Sequence, residues 1–371
     1  MIRILHICAA MNDGGVERMI MNYLSVVDRG QIQFDFVVHS TKVGFLEARA
    51  EKLGSKIYHV PAKSRHPFTY FRTMKRIYKE GGYDIVHCHQ GHKSVYPLLI
   101  AKWCHIPVRI AHAHVNMNRK NGNILQRVFR YFEAYLTETC STLLMACSSG
   151  AGKIWGEKHF TLIPDAIDLD KFSFSGEIRD KVRKEMSVDD NFVIGCVGRM
   201  VESKNHERLL QIMEKLQTSY PYAVLLLVGS GPLEGKLKES AAKRKLDKII
   251  FAGSCENVAA YLNACDVFVL PTLTEGFGMA ILEAQINGLE TITSDVVPEE
   301  VLVSERIHTL SLTADDEEWV KAIVSTMGRP RGEVILNPKI DLYDIRVQAD
   351  KLVGVYREAL MGRGCDDIEQ D

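Results

Sequence analysis

The stretch TEGFGMAILEA, residues 274–284, follows CDVFVLPT, residues 265–272. The first of these to be translated, CDVFVLPT, is a short apolar run ending in turn residues, which reads as a buried strand. The chain beyond Gly278 reads as a helix. Glu275 then falls on the strand-to-helix loop, and Glu283 is expected two turns into the helix, with seven residues between the carboxylates. Gly276 and Gly278 let backbone approach a ligand closely. The start of a helix offers N–H groups without intrahelical partners and a positive dipole end, and both suit a phosphate. A carboxylate further along accepts two hydrogen bonds from a vicinal diol such as ribose. One segment could therefore hold a sugar, a phosphate and a ribose in line. An ordinary βα turn with solvated glutamates would be spelled the same way, so this stretch alone leaves both readings open.

Working outward, strand-like runs recur with helical patterns between them. In the first half they cover residues 2–9, 34–40, 56–60, 83–89, 108–114, 142–148 and 160–164. In the second half they cover 192–197, 223–229, 248–253, 266–271, 290–294 and 307–312. Strands alternating with helices imply right-handed βαβ units and parallel sheets. Two such series predict two doubly wound domains, in keeping with a length of 371 residues. The expected boundaries are 1–165 for the first domain, 166–172 for a hinge, 173–344 for the second domain, and 362–371 for a disordered, polar tail.

In open α/β sheets, ligands bind beyond the carboxyl ends of the strands. The loops richest in chemistry lie there. Asp13-Gly14-Gly15 follows the first strand; Gly198, Arg199 and Lys204 follow the first strand of the second series; Gly229 and Gly231 follow the next. A guanidinium binds phosphate in a planar, bidentate manner and an ammonium supplies a compact charge. One basic pair on a loop is commonplace, but three such loops at strand ends are much less so.

Together these residues carry a resemblance. The pattern Gly198-Arg199…Lys204-Asn-His206, then Gly229-Ser-Gly-Pro232, then Glu275-Gly-Phe-Gly…Leu-Glu283-Ala-Gln285 resembles the retaining GT-B glycosyltransferases of family 4, nearest to the bacterial exopolysaccharide and capsule type. Gly14-Gly15-Val-Glu17 matches that family's first loop, and a final helix over about 345–361 resembles its crossover back onto the first domain. The implied fold is α/β GT-B, with two Rossmann-like domains facing across a cleft. The implied reaction moves a sugar from a nucleotide-diphosphate sugar, by resemblance a UDP-sugar, to a saccharide or polyprenyl-linked acceptor with retention.

The resemblance also implies roles. Arg199 and Lys204 would neutralise the departing diphosphate, and Glu283 would bind the ribose hydroxyls. Glu275 and the backbone of Phe277, Gly278, Met279 and Ala280 would hold the donor sugar. Gly14 and Gly15 would close over the phosphates, while Gly229 and Gly231 would shape the base and phosphate pocket. His114 would contact the donor sugar near the reacting carbon, and His89 matches an acceptor-side position. His87 and His112 are expected on the opposite face of the sheet. Preorganised cations stabilise a departing phosphate without a metal, and the family is generally metal-independent, so neither metal nor cofactor is expected. Asp168-Leu-Asp170 spells a metal-binding D-x-D string but lies in the linker. That linker departs from the usual Pro-Asn-Gly pattern, reading Pro164-Asp165-Ala166. A nucleotide-sugar 2-epimerase of the same architecture, or a non-catalytic nucleotide-sugar-binding subunit, would share most of these features.

Charge is unevenly distributed. Residues 1–165 hold 22 Lys and Arg against 12 Asp and Glu, a net +10, whereas the remainder holds 24 against 35, a net −11. The basic, aromatic stretches 63–79 and 119–132 read as amphipathic helices able to meet an anionic membrane, or as helices with a solvated cationic face. No apolar run approaches the ~18–20 residues of a membrane span, no signal peptide is expected, and nine scattered cysteines without C-x-x-C spacing suit a reducing cytoplasm. The expected location is therefore cytoplasmic, with peripheral contact at the membrane's inner face. No nucleic-acid module is recognisable, and the first strand is not followed by the G-x-G-x-x-G of a nicotinamide-binding fold. Oligomeric state is not legible.

Overall fold

A computed structural model of the chain describes residues 1–115, 123–156, 158–331 and 337–362, without the side chain of Lys339. The stretch of Arg119 and Lys120 and the tail from 363 onward lie outside the described residues. The chain divides into two compact units, one of residues 1–166 with 342–371 and one of residues 167–341.

The first unit carries a seven-stranded parallel sheet. Its strands are β1 (Ile2–Cys8), β2 (Ile32–Val38), β3 (Ile57–His59), β4 (Ile85–Cys88), β5 (Val108–Ala113), β6 (Leu143–Ala146) and β7 (Thr161–Leu162). They are ordered β3-β2-β1-β4-β5-β6-β7. The second unit carries a six-stranded sheet of β8 (Phe192–Val197), β9 (Ala223–Val228), β10 (Ile249–Gly253), β11 (Val267–Leu270), β12 (Glu290–Ser294) and β13 (Ile307–Leu310), ordered β10-β9-β8-β11-β12-β13. In both sheets the order reverses beside the first strand, between β1 and β4 and between β8 and β11. Crevices at such reversals are where doubly wound sheets take ligands.

The strands read as continuous apolar runs because helices cover both faces. Ile4, Leu5 and Ile7 of β1, and Val267, Phe268, Val269 and Leu270 of β11, have no exposed surface. Burying each such side chain contributes roughly 1.5–3 kcal/mol. The last helix, Ile345–Leu360, packs in the first unit against the helix Gly15–Val26. Its Tyr356 hydroxyl lies 2.8 Å from His87 Nδ1. The architecture is thus two Rossmann-like parallel-sheet units with the C-terminal helix returning to the first.

Candidate active site

The second unit carries its sequence-predicted residues on loops at the carboxyl ends of β8, β9 and β11. The β8 loop runs through a short 3-10 turn, Glu202–Lys204, to Asn205, whose φ of +55° is the left-handed conformation that asparagine tolerates. The helix His206–Ser219 starts there. Two hydrogen bonds fasten the β11 loop to this turn: Leu273 N–H donates to Ser203 O at 2.7 Å, and the Thr272 hydroxyl donates to the same oxygen at 2.8 Å. They bring the two loops into register, so that Lys204 Nζ lies 2.6 Å from Glu275 Oε1.

Glycines close the arrangement. Gly229 has φ +128°, and a Cβ there would lie 2.3 Å from Gly198 O. A Cβ on Gly231 would lie 2.5 Å from Met200 O. The β9 loop therefore packs directly on the backbone of the β8 loop, and Met200 N–H donates to Ser230 O at 2.9 Å. Gly229 and Gly231 are required by loop-on-loop packing, whatever they do for a ligand.

Gly278, at φ +105°, turns the chain into the helix Met279–Ile286. Glu283 sits about one turn into that helix rather than two, because the helix begins at Met279. Its side chain is buried, as is that of Glu275. Phe277 is also buried, which leaves backbone as what its segment can offer a ligand. Gln285 holds the other end in place. Its carboxamide donates to Val301 O at 2.7 Å and accepts from Val303 and Ser304 N–H at 3.0 Å each, which pins the chain beyond β12 to this helix. Arg199 is exposed, and His206 is buried beside Lys204. Burial and the neighbouring Lys204 charge push the His206 imidazole down to about 4. Asp168 of the D-x-D string caps the short helix Leu169–Phe172, accepting from Lys171 N–H at 3.4 Å.

The first unit holds the other group of sequence-derived residues. Gly14 caps the helix Gly15–Val26, and a Cβ on Gly15 would meet nothing within 4 Å. The histidines correct one expectation. His87 and His112 do not face away from His89 and His114; all four lie together with His6. Side chains two apart on a strand share a face, so His-x-His on β4 and again on β5 stacks four imidazoles on one side. His6 Nδ1 lies 2.9 Å from His89 Nε2, and His89 Nδ1 lies 2.9 Å from His114 Nε2. His87 Nε2 lies 3.1 Å from His112 Nδ1. Burial drives His6 down to about 3, and drives His87, His89 and His112 well below the ordinary range. At neutral pH these rings are neutral. His114 Nδ1 faces Asp165 Oδ1 at 3.7 Å. Asp165 and His6 were not singled out as site residues in the sequence. Period-two counting along both His-x-His runs would have revealed the cluster, and the departure at the linker marked Asp165.

Comparison with known proteins now decides the family. Residues 13–171 match the family described as Glycosyltransferase Family 4, and residues 191–328 match Glycosyl transferases group 1. EpsF of Bacillus subtilis (strain 168), provisionally named a glycosyltransferase, is 32% identical over 369 residues, covering 95% of this chain and 96% of EpsF. The chain belongs to glycosyltransferase family 4. An Escherichia coli relative of this glycosyltransferase, UDP-Gal:alpha-D-GlcNAc-diphosphoundecaprenol alpha-1,3-galactosyltransferase, is 25% identical over 78% of the chain and 79% of its own length. Among solved structures, Anabaena HepE in complex with UDP and glucose superposes with a TM-score of 0.79 at 15% identity, covering 96% of this chain and all of HepE. The glycosyltransferase therefore has the GT-B fold.

Proposed function

We propose that this glycosyltransferase moves a sugar from a UDP-sugar to a polyprenyl-diphosphate-linked saccharide, with retention, in the building of a cell-surface polysaccharide. The observation that carries this reading is the meeting of Lys204 and Glu275 at 2.6 Å, on two loops at strand carboxyl ends, just ahead of the helix that carries the buried Glu283. An ammonium already neutralised by a carboxylate is poised to exchange part of that pairing for a phosphate. Lys204 and Arg199 then stabilise the negative charge that grows on the departing UDP. Glu275 and the backbone from Phe277 to Ala280 hold the donor sugar, and Glu283 accepts from the ribose hydroxyls. His114 and His89 belong to the sugar and acceptor side. Because the cations do the work of charge stabilisation, the departing diphosphate needs no metal of its own. The uridine base and the lipid-linked acceptor are supported by the E. coli relative, whose name specifies both chemistries.

The acceptor's lipid requires a membrane surface. Among the described residues no helix is long and apolar enough to cross a membrane. The helix Ile124–Cys140 instead presents Ile124, Leu125, Val128, Phe129, Phe132 and Tyr135 to solvent, with Leu125 81% exposed, and carries Arg127 and Arg130. Apolar side chains flanked by cations, on the half of the chain with net charge +10, suit anionic lipid.

A thermal-shift panel of nucleotide sugars followed by transfer assays tests the reading. Selective stabilisation by one UDP-sugar, with transfer to a lipid-linked saccharide, is expected. Turnover of donor into an epimer without acceptor, or tight binding with no turnover of any donor, would overturn it.

A further inference from the structure

We infer that His114, Cys147 and Asp165 form a buried binding site for a divalent transition ion of the zinc class. The three residues stand at the carboxyl ends of neighbouring strands: His114 directly follows β5, Cys147 follows β6, and Asp165 lies beyond β7. One ligating atom from each, an imidazole nitrogen, a sulfur and a carboxylate oxygen, lies within 4.8 Å of the others, and all three residues are buried.

Two observations point to an ion. First, His114 Nδ1 and Asp165 Oδ1 are buried without a hydrogen-bond partner. They lie 3.7 Å apart, beyond hydrogen-bonding range. A cation between them satisfies both atoms. Second, the far side of His114 is already anchored, with its Nε2 2.9 Å from His89 Nδ1. Ligating histidines typically have the opposite ring nitrogen held in this way.

The donor set suits the ion. A neutral imidazole, a thiolate and a carboxylate together bring two negative charges to a 2+ ion. Tetrahedral zinc bound by these atom types needs ligand-to-ligand separations of roughly 3.4–3.6 Å, so the His114–Asp165 pair must close by only a few tenths of an ångström. The fourth position is left to water or another oxygen ligand. The carboxylate also stands where the family linker usually carries asparagine, and that change supplies one of the two charges.

Because His114 is also assigned to the donor sugar, the test reads metal directly and not turnover. Metal-stripped full-length protein is titrated with Co2+ and followed by absorption. One equivalent per chain should raise a thiolate-to-cobalt charge-transfer band and intense four-coordinate visible bands, and Zn2+ should bleach both. Cys147→Ser should abolish the charge-transfer band, and Asp165→Asn should weaken Co2+ binding at least ~10-fold while the thermal melt stays cooperative. If Cys147→Ser fails to fold, the Asp165→Asn affinity decides. The absence of a charge-transfer band in the parent protein, or binding unchanged in Asp165→Asn, overturns the site; the latter result would place any bound ion among the other buried histidines.

Discussion

Lys204 Nζ lies 2.6 Å from Glu275 Oε1, although the two residues are 71 positions apart. The carboxylate is buried and the ammonium half-buried, so the pair sits where water screens it poorly. Removing the ammonium should leave a fold that is intact by circular dichroism and turnover reduced by about 10²–10³-fold, the scale of losing one preorganised charge contact. The measurement is kcat for Lys204→Ala with saturating donor. A rate equal to the parent's would refute the phosphate role.

Glu283 is buried one turn into the helix Met279–Ile286. As the ribose acceptor it should act on binding. Glu283→Ala is expected to raise the UDP dissociation constant by about 10-fold or more, the worth of one charge-assisted hydrogen bond. Calorimetric titration of UDP into both proteins checks this, and equal affinities would remove Glu283 from the nucleotide site.

Gly229 combines φ +128° with a Cβ position 2.3 Å from Gly198 O. Neither strain nor clash can be relieved by rotating a side chain. Gly229→Ala should destabilise the protein by about 2 kcal/mol or more. Denaturant titration reads the loss, and a midpoint matching the parent's would show that the loops have room to part.

Acid should weaken both units. Burial lowers His6 from 6.5 to about 3, and burial with the Lys204 charge lowers His206 from 6.5 to about 4. A lowered folded-state value means that the unfolded chain binds protons the folded one refuses. The stability is therefore fully present above the unfolded value of 6.5 and is lost as pH falls toward the folded values. The loss by about pH 4 is on the order of 3 kcal/mol for each ring. Melting temperatures across this interval should drop steeply below 6.5; a flat profile would contradict the buried, neutral state of these rings.

The exposed apolar stripe on the helix Ile124–Cys140 should govern lipid binding. Replacing both Leu125 and Phe129 by serine is expected to release the protein from anionic vesicles at low salt while leaving the melting temperature within a few degrees, since both side chains face solvent. Co-sedimentation measures it. Retention equal to the parent's would assign the stripe to something other than lipid.

Much of this was legible from residue patterns. The strand series in each half reappears as β1–β7 and β8–β13, with Glu290–Ser294 and Phe192–Val197 at the expected bounds. Buried parallel strands advertise themselves as uninterrupted apolar runs, so these were easy to see. The positions of the motif loops at strand ends were legible too, because turn residues close each apolar run. The histidines depart from expectation: His87 and His89 share a face, as do His112 and His114, because side chains two apart on a strand point the same way. Gly229 and Gly231 are expected to shape a ligand pocket, and contact with Gly198 and Met200 separately demands glycine at both positions.

Local pattern by itself determined which segments become strands, which loops carry charge, and which family the chain resembles, because hydrophobic periodicity and turn chemistry act over a few residues. Only the tertiary structure decided that Ser203 receives the Thr272 hydroxyl and so aligns Lys204 with Glu275, and that His114 meets Asp165 beside Cys147. Those meetings depend on strand order and register, which bring together residues far apart along the chain, and no local preference encodes them.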